Sequence, residues 1–243
     1  RFLTGKTAIL RLKRSCLGLH WPRVKRILGL GFSGFVMALT NSVVQVACNS
    51  VLSAFGGDLY VGVMTVINSL REVVSMPVQG ITGAAEPVMG FNYGAGKPKR
   101  VRQGIIFISV CSVVYSLLVW LLVRTIPHTL IGIFNSDPEL ISTGIPALRL
   151  YFCAFFMMAL QFAGQSTFVS LGHSKQAVFF SIFRKIIIVV PLTLWLPHVG
   201  NLGVSGVFWA EAISNVIGGI SCFGTMLLTV FLPLGKEAAI QSD

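Results

Sequence analysis

The sequence predicts an all-α, polytopic membrane protein with six transmembrane helices. First, the chain contains six long apolar segments, and a helix needs about 20 apolar residues to cross the hydrocarbon core of a bilayer. Second, 54% of the 243 residues are hydrophobic and only 11% are charged, whereas about a quarter of the residues in soluble domains are charged. Third, none of the segments shows the short alternating pattern of barrel strands, so helices must satisfy the backbone within lipid.

The six segments are predicted as six spans in chain order. Three of them contain no charged residue, and the other three contain only a few. Charged groups inside lipid are unfavourable, so these residues are expected to face the protein interior or to reach the membrane surface. The charged residues are Arg71, Glu72, Glu86, Arg184, Lys185 and Glu211. The predicted spans are about 27–52, 59–90, 105–123, 150–171, 177–196 and 204–234.

The segments outside the spans predict a topology. Residues 1–26 contain eight of the 19 Lys and Arg residues, which is typical of a cytoplasmic, basic amphipathic linker. With this linker in the cytoplasm, fourteen basic residues lie on that side and two on the other. Six spans return the tail, residues 235–243, to the cytoplasm, so both termini are expected there. The external loop 125–147 is expected to open a short surface helix capped by Asn135 or Ser136.

Composition also argues against several classes of protein. The net charge of +11 follows the topology, so nucleic acid is not an expected partner. The five Cys and four His residues show no metal-binding spacing, and no metal or cofactor is expected. An intramembrane enzyme is the weakest hypothesis, because no nucleophile and base occur together at membrane depth.

The second predicted span carries a stripe of polar residues. Spacings of four, three, four, three and four residues place them on one helical face. Lipid cannot satisfy such a face, so it lines either a water-filled cavity or a dry seam between helices. Prolines and glycines at 77, 80, 83 and 87 are expected to weaken this helix, which favours the cavity because transporters use interrupted helices. The stripe consists of Asn68, Glu72, Ser75, Gln79, Thr82 and Glu86.

Two other spans carry polar residues at helical spacing. Span one has three amides at i, i+4 and i+8, and span four has two at i and i+4. Because all these faces avoid lipid, we expect one shared polar interior. The candidate substrate cleft therefore comprises Asn41, Gln45, Asn49, Asn68, Glu72, Ser75, Gln79, Gln161 and Gln165.

Arg184 and Lys185 lie about eight residues into span five, roughly 12 Å deep at the helical rise. Long basic side chains can extend to the membrane surface, or they can pair with a carboxylate. Glu86 is the best match in depth, so a Glu86–Arg184 ion pair is the second possibility.

The segment 77–96, PVQGITGAAEPVMGFNYGAG, with KPKRV at 97–101, closely resembles the second-half signature of the multidrug and toxic compound extrusion (MATE) family. LRLYF at 148–152, LGHSKQA at 171–177 and GVFWAEAIS at 206–214 also resemble parts of that family. The resemblance implies a transporter of twelve helices in two six-helix lobes around a central cleft. In such transporters drug cations leave the cell while protons or sodium ions enter. This chain matches the second lobe, so the N-terminal lobe is an expected partner.

The chain departs from some branches of that family at the coupling site. Those branches place carboxylates in the first and fourth helices of this lobe, where this chain has amides. A neutral amide does not bind and release a proton near neutral pH. Coupling is therefore expected to use a carboxylate of the absent lobe, or else Glu72 or Glu86. The adjacent Arg71 could hold Glu72 ionised, which favours the first possibility.

The expected function is proton- or sodium-coupled antiport of xenobiotic organic cations across the plasma (inner) membrane. The lipid bilayer and small organic cations are the expected partners. One alternative is a flippase for lipid-linked oligosaccharides, whose cleft should be basic, whereas the predicted stripe is amide and acidic. Another is a non-transporting membrane scaffold, in which the polar stripes would form a helix interface.

Overall fold

The computed structural model describes residues 18, 20–200 and 202–240. Most of the predicted linker, residues 1–17, and the tail end, residues 241–243, lie outside the described residues. Within the described part every regular element is helical, which confirms the all-α fold class. The first helix begins at Trp21 and the last ends at Ile240, so parts of the predicted linker and tail extend the helices.

The described residues form nine α-helices, joined in places by other helical turns. The α-helices are α1 (Trp21–Gly94), α2 (Pro98–Thr125), α3 (Pro127–Gly132), α4 (Pro138–Tyr151), α5 (Phe155–Ser170), α6 (Ser174–Ile182), α7 (Val190–Trp195), α8 (Val204–Met226) and α9 (Leu232–Ile240). A π-helical segment, Phe183–Val189, joins α6 to α7, and another, Leu227–Phe231, joins α8 to α9. A short 3-10 helix, Leu196–His198, follows α7.

Helix α1 is a hairpin of two helical arms that meet at Gly57. Gly57 has φ 68° and ψ −168°, a conformation that is essentially confined to glycine. Asn41 from the first arm and Ser75 from the second line the same cavity, although a straight helix would separate them by about 50 Å. The chain therefore reverses at Gly57, and the arms 21–56 and 58–94 lie side by side.

The reversal at Gly57 determines the number of spans. Four helical stretches of the described chain are long and apolar enough to cross a membrane: Ala38–Gly94, Pro98–Thr125, Ser174–His198 and Val204–Ala239. Helices α4 and α5, bent by 51°, together form a fifth. Since Ala38–Gly94 folds back on itself, it contributes two helical arms, which is consistent with the six spans that the sequence predicts.

Helix α4 differs from the short surface helix expected in the loop 125–147. Its side chains Leu148 and Tyr151 are buried in the core, and the helix leads directly into the bend before α5. Asp137 caps it, since the Asp137 carboxylate accepts the N–H of Glu139 at 3.0 Å. The expected cap at Asn135 or Ser136 is therefore wrong. The reason is Pro138, which holds the preceding residue in the extended conformation that a cap requires.

The second arm of α1 also differs from expectation. Only Gly57 departs from helical φ and ψ values in α1, so the helix continues through Pro77 and Pro87. Prolines are tolerated in membrane helices because neighbouring groups satisfy the freed carbonyls. The polar stripe therefore lies on an unbroken helix.

Two hydrophobic clusters hold the helices together and leave a polar belt between them. Along α5, the first cluster includes Phe155 and Met158, and the second begins at Ala163. Along α8, the first cluster includes Phe208 and the second begins at Cys222. Gln161 of α5 and Glu211 and Asn215 of α8 fall between these limits, so the two helices bring polar groups to one level of the fold.

Candidate functional site

Polar faces of four helical stretches surround one cavity of about 500 Å³. Its walls come from both arms of α1, from α5 and from the segment Phe183–Val189. This volume lies within the range of about 300–1,000 Å³ that is usual for small-molecule sites. The lining residues are Ala38, Asn41, Gln45, Arg71, Glu72, Ser75, Gln79, Met158, Gln161, Phe162, Gln165, Arg184 and Lys185.

The cavity brings together seven of the nine residues of the predicted cleft, namely Asn41, Gln45, Glu72, Ser75, Gln79, Gln161 and Gln165. Asn68 lines an adjoining pocket of about 40 Å³, which shares Asn41, Gln45 and the three basic residues with the cavity. Asn49 lines neither pocket. Along the first arm, Asn49 lies about one turn beyond Gln45 in the direction of Gly57. In that turn, Cys48, Val51 and Leu52 pack the arm into the first hydrophobic cluster.

Hydrogen bonds within the lobe fix part of the lining. The Gln165 amide donates to the carbonyl of Ala177 at 3.1 Å and so ties α5 to α6. The Ser166 hydroxyl donates to the carbonyl of Thr82 at 3.2 Å and ties α5 to the second arm of α1. The walls of the cavity are therefore held by contacts between different helices.

Arg184 forms its ion pair with Glu211 of α8, so the predicted pairing with Glu86 is corrected. Arg184 Nη1 donates to Glu211 Oε1 at 3.1 Å and to Asn215 Oδ1 at 2.6 Å. The two charged side chains are only 6% and 9% exposed. A buried charge needs a close partner, and α8 supplies two acceptors one turn apart. Glu86 lies on the second arm of α1, and within the described residues it forms no ion pair.

The backbone around Arg184 is unusual, because Phe183–Val189 is π-helical. Such segments are rare and frequently occur at functional sites. Gly218 of α8 makes room for Arg184, since a Cβ atom there would lie 2.6 Å from Arg184 Cδ. The same Cβ atom would lie 3.0 Å from Gln161 Oε1. A small residue on α8 thus allows Arg184 and Gln161 to approach each other.

The sequence alone did not identify the charges of the site completely. Five charged side chains line the cavity and its adjoining pocket: the bases Arg71, Arg184 and Lys185 and the acids Glu72 and Glu211. Only Glu72 was among the cleft residues predicted from the sequence. The sequence did contain a signal that could have placed Glu211 in the site. Glu211, Ser214 and Asn215 are spaced as one helical face, and charged residues within spans usually line cavities.

Three buried polar atoms of the site have no hydrogen-bond partner within the described chain. They are Arg71 Nε, Gln161 Oε1 and Arg184 Nε. Buried polar atoms are normally paired, so unpaired ones around a cavity indicate a place for a polar ligand or water. Within the described chain, no group of three His, Cys, Asp or Glu side chains could hold a metal ion.

Comparison with known proteins gives this site a family context. The MatE family model matches residues 34–195, which is more than half of the chain. Multidrug export protein MepA of Staphylococcus saprophyticus is 21% identical over 206 residues, covering 85% of this chain and 44% of MepA. A FAD transporter of Shewanella oneidensis is 20% identical over 209 residues, with coverage of 84% and 44%. The probable multidrug resistance protein NorM of Thermotoga maritima is 23% identical over 230 residues, with coverage of 93% and 47%.

Solved structures show the same fold. A MATE transporter in a bent conformation superposes with a TM-score of 0.88 at 19% identity, covering 98% of this chain and 52% of that one. The MATE multidrug transporter DinF-BH has a TM-score of 0.79 at 34% identity, with coverage of 93% and 50%. The chain thus spans about half the length of the proteins that it matches, which is consistent with one lobe of a two-lobe protein. With the family model, the fold and the sequence resemblance in agreement, the chain belongs to the MatE family of membrane transporters.

Proposed function

We propose that this chain forms one lobe of a secondary transporter that exports small organic molecules across the plasma (inner) membrane. The observation that carries the proposal is the cavity of about 500 Å³, into which four helical stretches turn polar faces that lipid could not satisfy. The multidrug export named for MepA and NorM supports efflux. A second six-helix lobe, N-terminal to this one, is the proposed partner, and the half-length coverage of the relatives supports it.

The proposed driving force is the inward movement of protons or sodium ions. Of the two carboxylates that the sequence offered for coupling, Glu72 lines the cavity and Glu86 does not. Glu211 is engaged by Arg184. A carboxylate of the other lobe therefore remains the proposed coupling group, with Glu72 as the candidate within this chain.

The charges of the lining bear on the substrate class. The sequence predicted organic cations because the expected lining was amide and acidic, but the cavity also contains Arg71, Arg184 and Lys185. The names of the relatives include multidrug export and FAD transport, and they favour neither the flippase nor the scaffold. A non-transporting scaffold, moreover, would not require an open polar cavity.

Transport is tested with the full-length protein in proteoliposomes under an imposed proton or sodium gradient. A panel of fluorescent organic dyes should move when the gradient is applied and stop when an ionophore collapses it. Gln79→Trp, which fills the cavity, should lower the initial rate about tenfold or more. Val110→Trp, on the exposed side of α2, is the matched control and should not. Dye movement that ignores every gradient, or equal rates for both variants, contradicts the proposal.

A further inference from the structure

We propose that the exposed surface of α2 binds an anionic phospholipid. The phosphate of the headgroup lies in a basic turn, which we define as residues 97–100, and one acyl chain lies in an apolar groove beside it on α2. No residue of α2 lines the cavity or its adjoining pocket. The lipid site is therefore separate from the proposed substrate site, and its presence does not depend on the proposed function.

The basic turn forms an open pocket of about 240 Å³, lined by Lys97, Pro98, Lys99 and Arg100. The three basic side chains are exposed, and within the described residues none of them forms an ion pair with a carboxylate. The sequence contains no Asp or Glu between Glu86 and Asp137, so this segment does not supply its own counter-charge. Such a concentration of positive charge attracts an anion.

The next basic residue, Arg102, has a different role. It is half-buried, and its guanidinium carbon lies 4.4 Å from the centroid of the Phe231 ring. A Cβ atom on Gly235 would lie 3.2 Å from the same carbon. Arg102 therefore packs α2 against the segment that leads into α9, through a cation–π contact. The exposed bases of the basic turn are the ones that can contact a headgroup.

An apolar groove on α2 begins about one turn beyond the basic turn. Its volume is about 350 Å³, and its walls are almost entirely apolar. The side chains of Ile106, Phe107 and Val110 are at least 50% exposed, so the described helices leave them uncovered. Burial of such a surface against hydrocarbon removes apolar area from water and leaves no polar group unsatisfied. The groove is lined by Gln103, Ile106, Phe107, Val110 and Cys111.

The basic turn and the groove are aligned as the parts of one phospholipid. Lys99 shares a helical face with Gln103 and Phe107, at spacings of four and eight residues. At the helical rise the groove is about 12 Å long, which fits within the hydrocarbon of one leaflet, about 15 Å deep. Lys99 lies about 6 Å before the groove, and the headgroup layer is about 5–7 Å thick. A lipid with its phosphate at the basic turn therefore places its chain in the groove.

These features favour an anionic phospholipid over other ligands. A free phosphate would leave the groove empty, and a zwitterionic lipid would bring its own positive group to a basic turn. The topology predicted from the sequence places this turn on the cytoplasmic side, where anionic lipids are concentrated. Each basic residue near that surface strengthens the attraction about fivefold. The chemistry of the site therefore indicates an anionic glycerophospholipid, for which phosphatidylglycerol is the probe.

Fluorescence quenching by brominated lipids tests the site in the full-length protein. In a background without other cysteines, Val110→Cys carries a small fluorophore in the groove, and the protein is reconstituted in phosphatidylcholine vesicles. Brominated phosphatidylglycerol should occupy this position at least about tenfold more favourably than brominated phosphatidylcholine does. Arg100→Gln should reduce this preference about fivefold. Lys175→Gln, which removes an exposed positive charge on α6, should leave it unchanged.

A second fluorophore position separates a lipid site from general attraction to the surface. Ile220→Cys lies on an exposed side of α8 and should show a preference of no more than about twofold. Equal quenching at Val110→Cys by the two brominated lipids, or the same preference at both positions, overturns the proposal. Quenching at Ile220→Cys alone also overturns it, because another part of the protein then covers the groove. The comparison of the two lipids uses no charge variant, so it remains decisive even if Arg100→Gln misfolds.

Discussion

Arg184 and Glu211 form an ion pair that is almost removed from solvent, with side chains 6% and 9% exposed. Asn215 accepts a second hydrogen bond from the same nitrogen of Arg184. Breaking a buried pair by removing one charge is strongly destabilising, because the other charge stays buried. The pair therefore holds the π-helical segment against α8 at the edge of the cavity.

At the residue scale, we predict that Glu211→Gln lowers the free energy of unfolding by about 3 kcal/mol. The amide keeps the shape of the side chain but leaves Arg184 without a counter-charge. Glu86→Gln is the matched control and should change stability by less than about 1 kcal/mol. Thermal unfolding of the two variants in detergent measures both effects. A larger loss for Glu86→Gln would show that the pairing suggested by the sequence is the real one.

Glu86 and Glu211 show which part of an ion pair can be predicted from a sequence and which part cannot. Depth along a span can be counted in residues, and depth favoured Glu86 as the partner of Arg184. Lateral neighbours depend on how helices pack, and α8 lies against the segment Phe183–Val189. The sequence therefore showed that Arg184 could form a buried pair but did not identify its partner.

At the element scale, small residues let α8 approach α5 closely. A Cβ atom on Gly219 would overlap the carbonyl oxygen of Met157. Backbone atoms of a packed helix cannot move aside as the end of a side chain can. Close approach through glycine is a common device between membrane helices, and it brings Gln161 and Glu211 to neighbouring positions around the site.

We predict that Gly219→Ala destabilises the protein by about 1–3 kcal/mol, because the added methyl group forces α5 and α8 apart. Gly224→Ala lies on the same helix, has no neighbour within 4 Å, and should be neutral or slightly stabilising. Melting temperatures of the two variants test the difference. Equal melting temperatures would mean that α5 and α8 are less tightly packed than the structure has them.

Several elements followed from the sequence and others did not. Hydropathy predicted long apolar helices, because apolar length is a property of the chain itself. The π-helical segment Phe183–Val189 and the bend before α5 depend on contacts between helices, and no local pattern marks them. Gly57 lay in the expected first turn, but the sequence did not show that a single residue would make the reversal.

At the scale of the whole molecule, the polar belt lies between two hydrophobic clusters. The sequence predicted a shared polar interior, because aligned amides are unfavourable in contact with lipid and must face the inside of the protein. It did not predict that basic residues would also line the cavity. The basic residues of span five were equally compatible with a position at the membrane surface.

We predict that the belt is wet in the full-length protein. In a background without the five native cysteines, Gln79→Cys should react with a membrane-impermeant thiol reagent. Val78→Cys, at a neighbouring position that is 0% exposed, should be protected. Mass spectrometry of the labelled protein gives the extent of reaction at each position. Protection of both cysteines would indicate a dry polar seam and would contradict the cavity.

The reversal at Gly57 has a consequence for how the protein is made. The arms of α1 join without an intervening loop. The first arm therefore has no flexible linker that would let it cross the membrane long before the second arm. Each arm also carries a polar face, and a lone arm would expose amides such as Asn41 to acyl chains. We therefore expect both arms to leave the insertion machinery together, as one hairpin whose polar faces are turned toward the same cavity.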